Sequence, residues 1–259
     1  MHIDADYPSQ NKFVMIKEHT VHLMTSEIHA ANIPERRECQ PTPVIEDRAL
    51  DLDEAERTIA TSGGIPFPVP NPTFLPDRLI KSLTPVFLIR HPGRVFPSFL
   101  RASTLIGATV AGGNASLYLS FKWQRIMFDF YKAWYSCPRG AESARPGREN
   151  LPIVIDGDKL IDDPQGQIRK MCQLLGLDPA PVQFSWEKKE KFESPAHEVF
   201  LSTIGKSTGV IKNKDSKPLN LEEEAAQWAK EWDKKTAQEL KIRTEEAMED
   251  YNYLLKESI

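Results

Sequence analysis

The chain has 259 residues, 40% of them hydrophobic and 27% charged, enough apolar material to close a core of domain size. Its 37 acidic and 33 basic side chains give a formal net charge of −4 with no strongly basic block, which argues against nucleic acid as a partner. Three widely spaced cysteines, Cys39, Cys137 and Cys172, fit neither a metal-ligand pattern nor a disulfide framework, and no apolar run is long enough to cross a bilayer. A reducing, cytoplasmic setting is the expectation.

Phe13 to Ile16 is a short apolar run ending in Lys17-Glu18-His19, the pattern of a buried strand whose polar end reaches a cleft. Residues 28–75 are rich in proline and charge, with Gly63-Gly64 and four prolines bunched near the end. They read as an insertion or lid, with a helix candidate over Asp51 to Ala60. A short helix over Pro76 to Leu83 leads into the strongest strand, Pro85 to Ile89, and a helix is expected over Gly93 to Leu105. A long amphipathic helix is expected over Asn114 to Tyr135, with Leu117, Phe121, Phe128 and Tyr131 at helical spacing. Leu151 to Ile155 is a second fully buried strand, closed by Asp156-Gly157-Asp158 and followed by a helix over Pro164 to Leu175 with Gly176 as its C-cap. From Leu221 two charged amphipathic helices close the chain, the second with Leu240, Ala247, Tyr251 and Leu254 on one side. Strands each followed by a helix predict an α/β fold, a single domain over 1–259 built as a three-layer parallel sheet flanked by helices.

The segment Phe87 to Phe99, FLIRHPGRVFPSF, carries the clearest chemistry. A hydrophobic strand delivers Arg90 to its carboxyl edge, Gly93 allows a turn, and Ser98 follows inside the next helix. A guanidinium, a hydroxyl and helix-start amides directed at one spot all favour an anion, so the arrangement reads as a phosphate pocket. For the arginine alone, the alternative is a salt bridge to an acid at a strand end.

The spacing Arg90, Pro92, Ser98, with the serine eight positions after the arginine, resembles the sulfotransferase family, and the wording is close to its fungal sulfotransferase-like branch. The block Val154 to Leu177 is similar to that family's strand, acidic dipeptide, proline and helix. The resemblance implies a P-loop-like fold, with Arg90 and Ser98 at the 3′-phosphate of PAPS. It also implies His19 as the general base and Lys17 as a contact for the sulfuryl group, since Lys17-Glu18-His19 matches the family's Lys-x-His pattern. An imidazole of ordinary pKa near 6.5 accepts a proton around neutrality without special tuning. Ser202 to Lys214, with Lys206 and Gly209, stands where the family closes its donor site with a basic glycine loop. Phe121, Phe128 and Tyr131 stand on the helix that the family packs beside its acceptor pocket; a solid aromatic core is the competing assignment. The family's N-terminal glycine-rich loop with its lysine has no counterpart in this sequence, so the fold is expected to be truncated or degenerate there.

These features lead first to an enzyme that keeps the scaffold without the nucleotide: a cofactor-independent cyclase or isomerase, pericyclase-like, acting on a lipophilic natural product in fungal secondary metabolism. The alternative is a PAPS-dependent sulfotransferase acting on a small-molecule hydroxyl. A third is a non-catalytic binding protein or partner subunit, and a homodimer is left open.

Overall fold

The apolar run Pro85 to Ile89 can satisfy its backbone only by pairing, and in the computed structural model Val86–Ile89 (β1) runs parallel to Ile153–Asp156 (β2), with Val86 opposite Ile153 and Ile89 opposite Asp156. The structure describes residues 14–33, 67–104, 110, 115–137, 151–189, 192, 195–211 and 219–259. Among these the helices are Thr20–Leu23 (α1), Ser26–Asn32 (α2), Asp77–Ser82 (α3), Pro92–Thr104 (α4), Ala115–Tyr118 (α5), Lys122–Ser136 (α6), Gly157–Asp162 (α7), Pro164–Leu175 (α8), Pro195–Gly205 (α9), Leu221–Glu231 (α10) and Lys234–Lys256 (α11). The molecule is thus a helix-dominated α/β structure around a small parallel sheet.

The two strands are sealed unequally. All four residues of β2 are buried, because Val154 faces one apolar cluster while Ile153 and Ile155 face another made with Leu151, Met171 and Leu175. In β1 only Phe87 and Ile89 point inward; Val86 is 37% and Leu88 55% exposed, so this strand is not fully buried as its composition predicts. Beyond β2, Ser258 forms a parallel bridge with Val154 and the Ile259 N–H donates to the Val154 carbonyl at 3.0 Å. On the far side of β1, the Gln124 side chain donates to the Leu88 carbonyl at 3.2 Å.

Residues 14–16 of the expected third strand form no strand, and the three-layer parallel sheet is not seen among the described residues. Val14, Met15 and Ile16 are exposed and belong to no strand, and His19 stands at the N-terminal boundary of α1. An apolar run is equally compatible with a strand and with a segment that finds no strand to pair with. Residues 34–66, which include most of the expected insertion and its Asp51 to Ala60 helix, lie outside the described residues, as does Cys39. The described flanks of that region pack on the body: Ile33 and Thr73 are buried, and Phe67 packs tilted against Phe130 and edge-on against Trp134, with ring centroids 4.5 and 4.9 Å away.

The long helix expected over Asn114 to Tyr135 is broken into α5 and α6. Trp123 Nε1 donates at 2.7 Å to the Leu117 carbonyl, the acceptor that Phe121 would use in an unbroken helix, and the Ser120 hydroxyl accepts the Lys122 N–H at 3.1 Å. Both bonds satisfy the backbone at the break. Helix α8 runs as expected from Pro164 to Leu175. Asp163 caps its first turn through Gly166 N–H at 2.9 Å, and Gly176 ends it with φ 68°. Helix α10 folds back on α11, where Lys241 pairs with Glu222 at 2.6 Å, and the inner side of α11 buries Leu240, Ala247, Tyr251 and Leu254. Helices α6 and α11 are clamped by Asp129, which takes Arg125 at 2.7 Å and the Tyr253 hydroxyl at 2.9 Å. No described helix is long and apolar enough to cross a membrane.

Candidate functional site

The parallel register brings the ends of β1 and β2 side by side, so the residues that follow each strand meet at one carboxyl edge. After β1 come Arg90 and His91, and after β2 come Gly157 and Asp158. The approach is close: a methyl carbon on Gly157 would stand 3.0 Å from the Ile89 carbonyl oxygen and 3.4 Å from Arg90 Cβ. Arg90 Nε donates to Asp158 Oδ1 at 2.7 Å, and Arg94, one turn into α4, brings its Nε within 3.4 Å of Asp158 Oδ2. The salt bridge that a strand-end arginine makes by default is therefore present, with a second arginine on the other carboxylate oxygen.

Around this triad the charges are only partly open to water, Arg90 at 29%, Asp158 at 33% and Arg94 at 18% exposure. Asp156 caps α7 by accepting the Asp158 N–H at 3.1 Å, and burial raises its carboxyl above the usual range. His91 accepts the Gly93 N–H on Nδ1 at 3.1 Å, which leaves the ring proton on Nε2; burial and then Arg94 lower its pKa. The Tyr251 ring lies 5.4 Å from that of His91, and burial, then Asp156 and Asp158, push its phenol up to about 12.

Ser98 is exposed and is the seventh residue of α4, further in than the first turn, so its N–H is not one of the open amides of the helix start. It follows Arg94 by four positions, a spacing that puts two residues on one flank of a helix about one turn apart.

Lys17 and His19 form a second group. Lys17 Nζ donates to His19 Nε2 at 3.0 Å, which requires a ring with its proton on Nδ1. Partial desolvation, then the charges of Lys17 and His22, hold the pKa of this exposed ring below its ordinary value. His19 and His22 are themselves exposed, and from them a row of rings runs along the surface: His19 to His22 at 5.9 Å, His22 to Tyr118 at 5.7 Å, Tyr118 stacked on Phe99 at 5.4 Å, and Phe99 to Phe200 at 6.2 Å. Tyr118 is 36% and Phe200 46% exposed. Phe99 immediately follows Ser98, so this group meets α4 at the level of Ser98. The Arg90 group meets α4 at its start; the eight steps from His91 to Phe99 rise about 12 Å along the helix.

The remaining expected residues are placed as follows. Phe121, Phe128 and Tyr131 are 4%, 1% and 2% exposed and sit in the main core, where the Tyr131 hydroxyl donates to the Ile80 carbonyl at 3.1 Å. Rings of the same region that stand open belong to α5 and α9 instead. Lys206 is exposed just past α9, and its N–H and that of Ser207 donate to the carbonyls of Ser202 and Ile204, so these two amides finish the helix. Gly209 bridges Ser185, with the Phe184 carbonyl oxygen 3.2 Å from where its Cβ would be. Lys212 lies outside the described residues, and no group of His, Cys, Asp or Glu among the described residues could hold a metal ion.

Sequence reasoning missed Asp158 and Arg94 as partners of Arg90, and it did not join His22, a nearby competitor of His19, to Tyr118, one ring of the expected 114–135 helix. Asp158 carried half a signal: its place just after a strand was legible, but the register that sets it beside Arg90 was not. His22 and Tyr118 carried none, because only the packing of α1 beside α5 makes them neighbours.

No protein-family model matches the chain, and no solved structure does. Two curated proteins do. The chain is 30% identical over 256 residues to the sulfotransferase ppzF of Metarhizium majus (strain ARSEF 297), and 29% identical over 258 residues to the protein of the same name in Metarhizium rileyi (strain RCEF 4871). Each match covers 95% of this chain and 69% of the relative. Similarity that extends this far, over a chain with a parallel βαβ edge carrying the Arg90, Pro92, Ser98 spacing, has one reading: the chain belongs to the sulfotransferase family.

Proposed function

We propose that the chain transfers a sulfuryl group from PAPS to the hydroxyl of a small, ring-bearing molecule. The observation that carries this reading is the Lys17–His19 pair at 3.0 Å beside a row of exposed rings, in a chain whose 30%-identical relative is named a sulfotransferase. The residues fit a nucleotide donor: two arginines stand together at the carboxyl edge, partly open to solvent, with Ser98 about one helical turn after Arg94. Arg90, Arg94 and Ser98 would hold its 3′-phosphate, and Lys206 and Gly209 would border the donor. PAPS, when bound, would supply the activated sulfuryl group.

The work of the chain is then positioning and proton transfer. Tyr118, Phe99 and Phe200 would stack the acceptor so that its hydroxyl reaches His19. His19 Nε2 would take the hydroxyl proton while the acceptor oxygen bonds to the sulfuryl sulfur and the sulfur's bond to the bridging 5′-phosphate oxygen breaks, leaving adenosine 3′,5′-bisphosphate; Lys17, released from the ring, would meet the negative charge that develops. The test is release of adenosine 3′,5′-bisphosphate from PAPS with a panel of phenols and naphthols as acceptors. His19→Ala is expected to lower turnover by about 10²–10⁴, the usual contribution of a positioned base. No nucleotide release with any acceptor would end the reading; full turnover in His19→Ala would end the role of His19.

A second reading draws on one observation, the carboxylate of Asp158 seated on Arg90. If the anion position is filled from within, the scaffold serves a cofactor-independent cyclase or isomerase, with the row of rings folding a lipophilic substrate and His19 moving its proton. Turnover of a substrate in the absence of PAPS separates this reading from the first.

A further inference from the structure

Asp158 offers both oxygens to guanidinium groups, Oδ1 to Arg90 at 2.7 Å and Oδ2 to Arg94 at 3.4 Å. These are the contacts that two oxygens of a phosphate would make, because carboxylate and phosphate match the donor spacing of arginine in the same way. The carboxylate is not locked in a dry core: its side chain is 33% exposed and that of Arg90 is 29% exposed, so water and solutes reach the pair. Its backbone is fixed, since Asp158 begins the first turn of α7 and its N–H is held by the Asp156 cap. Gly157 presses the backbone of that turn against Ile89 and Arg90, leaving the side chain of Asp158 as the part that can move.

We propose that Asp158 is a built-in counter-ion occupying the anion seat formed by Arg90 and Arg94, and that a phosphate monoester binds there only by displacing it. A carboxylate tethered beside its partner competes at an effective concentration in the millimolar range or above. A free monoanion at ordinary concentration loses to it. A phosphate monoester, with a charge of about −1.5 to −2 at pH 7, engages two guanidiniums more strongly than a single carboxylate and displaces it. The seat thereby discriminates against chloride, carboxylates and other weak anions, at the cost of affinity for the ligand it admits. The proposal rests on the reading of Arg90 as a contact for an anionic ligand group.

Calorimetric titration of adenosine 3′,5′-bisphosphate into the full 259-residue chain tests it. Asp158→Asn keeps the shape and removes the competing charge, and is expected to bind at least tenfold more tightly than the unchanged chain. The double variant Arg90→Gln with Asp158→Asn is expected to lose that gain. Equal, weaker or undetectable binding in Asp158→Asn, with helical circular dichroism preserved, overturns the proposal and makes Asp158 an orienting partner of Arg90. Should the asparagine variant not fold, the unchanged chain still decides: the Arg90 Nε–H signal in NMR, assigned by its loss in Arg90→Lys, must shift at saturating nucleotide. A stationary signal overturns the displacement. The sulfotransferase reading fails separately, by absence of sulfuryl transfer in the unchanged chain, and a tighter-binding Asp158→Asn would survive that failure.

Discussion

Alanine at position 157 would probe the contact on which the strand-end site is built. Its methyl carbon would lie 3.0 Å from the backbone oxygen of Ile89 and 3.4 and 3.5 Å from Cβ and Cγ of Arg90. Ile89 is fully buried and pairs with Asp156, so its carbonyl cannot retreat without stretching the ladder between the strands. Overpacking of this kind costs about 1–3 kcal/mol. Against it, alanine in place of glycine in a helical turn returns up to about 1 kcal/mol. With the full ~1 kcal/mol returned, the net expectation is a loss of about 0–2 kcal/mol centred on about 1, read from the urea midpoint by circular dichroism at unchanged m. The same displacement should move Arg90 relative to Asp158 and change the heat of bisphosphate binding. Gly176 provides the contrast: nothing lies within 4 Å of its added Cβ, but φ is 68°, so Gly176→Ala pays about 1–2 kcal/mol for handedness alone and Gly176→Asn recovers part of it. Asparagine at 157 should recover nothing. A Gly157→Ala chain as stable as the unchanged one would show that the Ile89 carbonyl yields freely, and the close approach would no longer explain how Arg90 is held.

Further outcomes follow from the same geometry. His19 and His91 both hold their proton less readily in the folded chain than the ordinary value near 6.5 allows, so just below pH 6.5 the unfolded chain binds more protons; stability should fall as pH drops through that window and be whole above it, with His91→Gln flattening the fall in urea midpoints measured at pH 5, 6 and 7. Tyr131→Phe removes the donor to the Ile80 carbonyl inside the core and should cost about 1–2 kcal/mol in the same assay, with no change in nucleotide binding. Asp163→Ala uncaps α8 and should cost about 0.5–2 kcal/mol, while Asp163→Asn or Asp163→Ser, which also cap, should cost much less.

The sequence spoke clearly wherever one local signal decided the outcome. Pro85 to Ile89 followed by Arg90-His91-Pro92 marked both a strand and the start of α4, and Asp163-Pro164 with Gly176 bracketed α8 to the residue. The last two helices were legible because a single side of each is apolar. Legibility failed where the outcome depended on a partner distant in sequence or on a side chain competing with the backbone. Nothing in Phe13 to Ile16 states whether a neighbouring strand exists to receive it, and nothing in the periodicity of 114–135 reveals that the Trp123 indole takes the Leu117 carbonyl. At the site, the strand-end position singled out Arg90, but its partner required knowing that Ile89 lies level with Asp156. Phe121, Phe128 and Tyr131 show the limit of composition: rings at helical spacing look alike whether they line a cavity or fill a core, and these fill it.

The two outer margins of the small sheet are finished in different ways, and this bears on how the protein behaves in crowded solution. Beside β2 the backbone of Ser258 and Ile259 takes the place of a strand, so that margin offers little to another molecule. Beside β1, among the described residues, the Leu88 carbonyl is met by one amide group from Gln124, over a surface where Val86 and Leu88 stand in water. An amide side chain is a partner that a foreign strand can replace at little expense, and greasy open margins are where chains zip together. Precipitation on concentration should therefore begin at β1, and a lysine at position 88 is the modification that would keep the molecules apart.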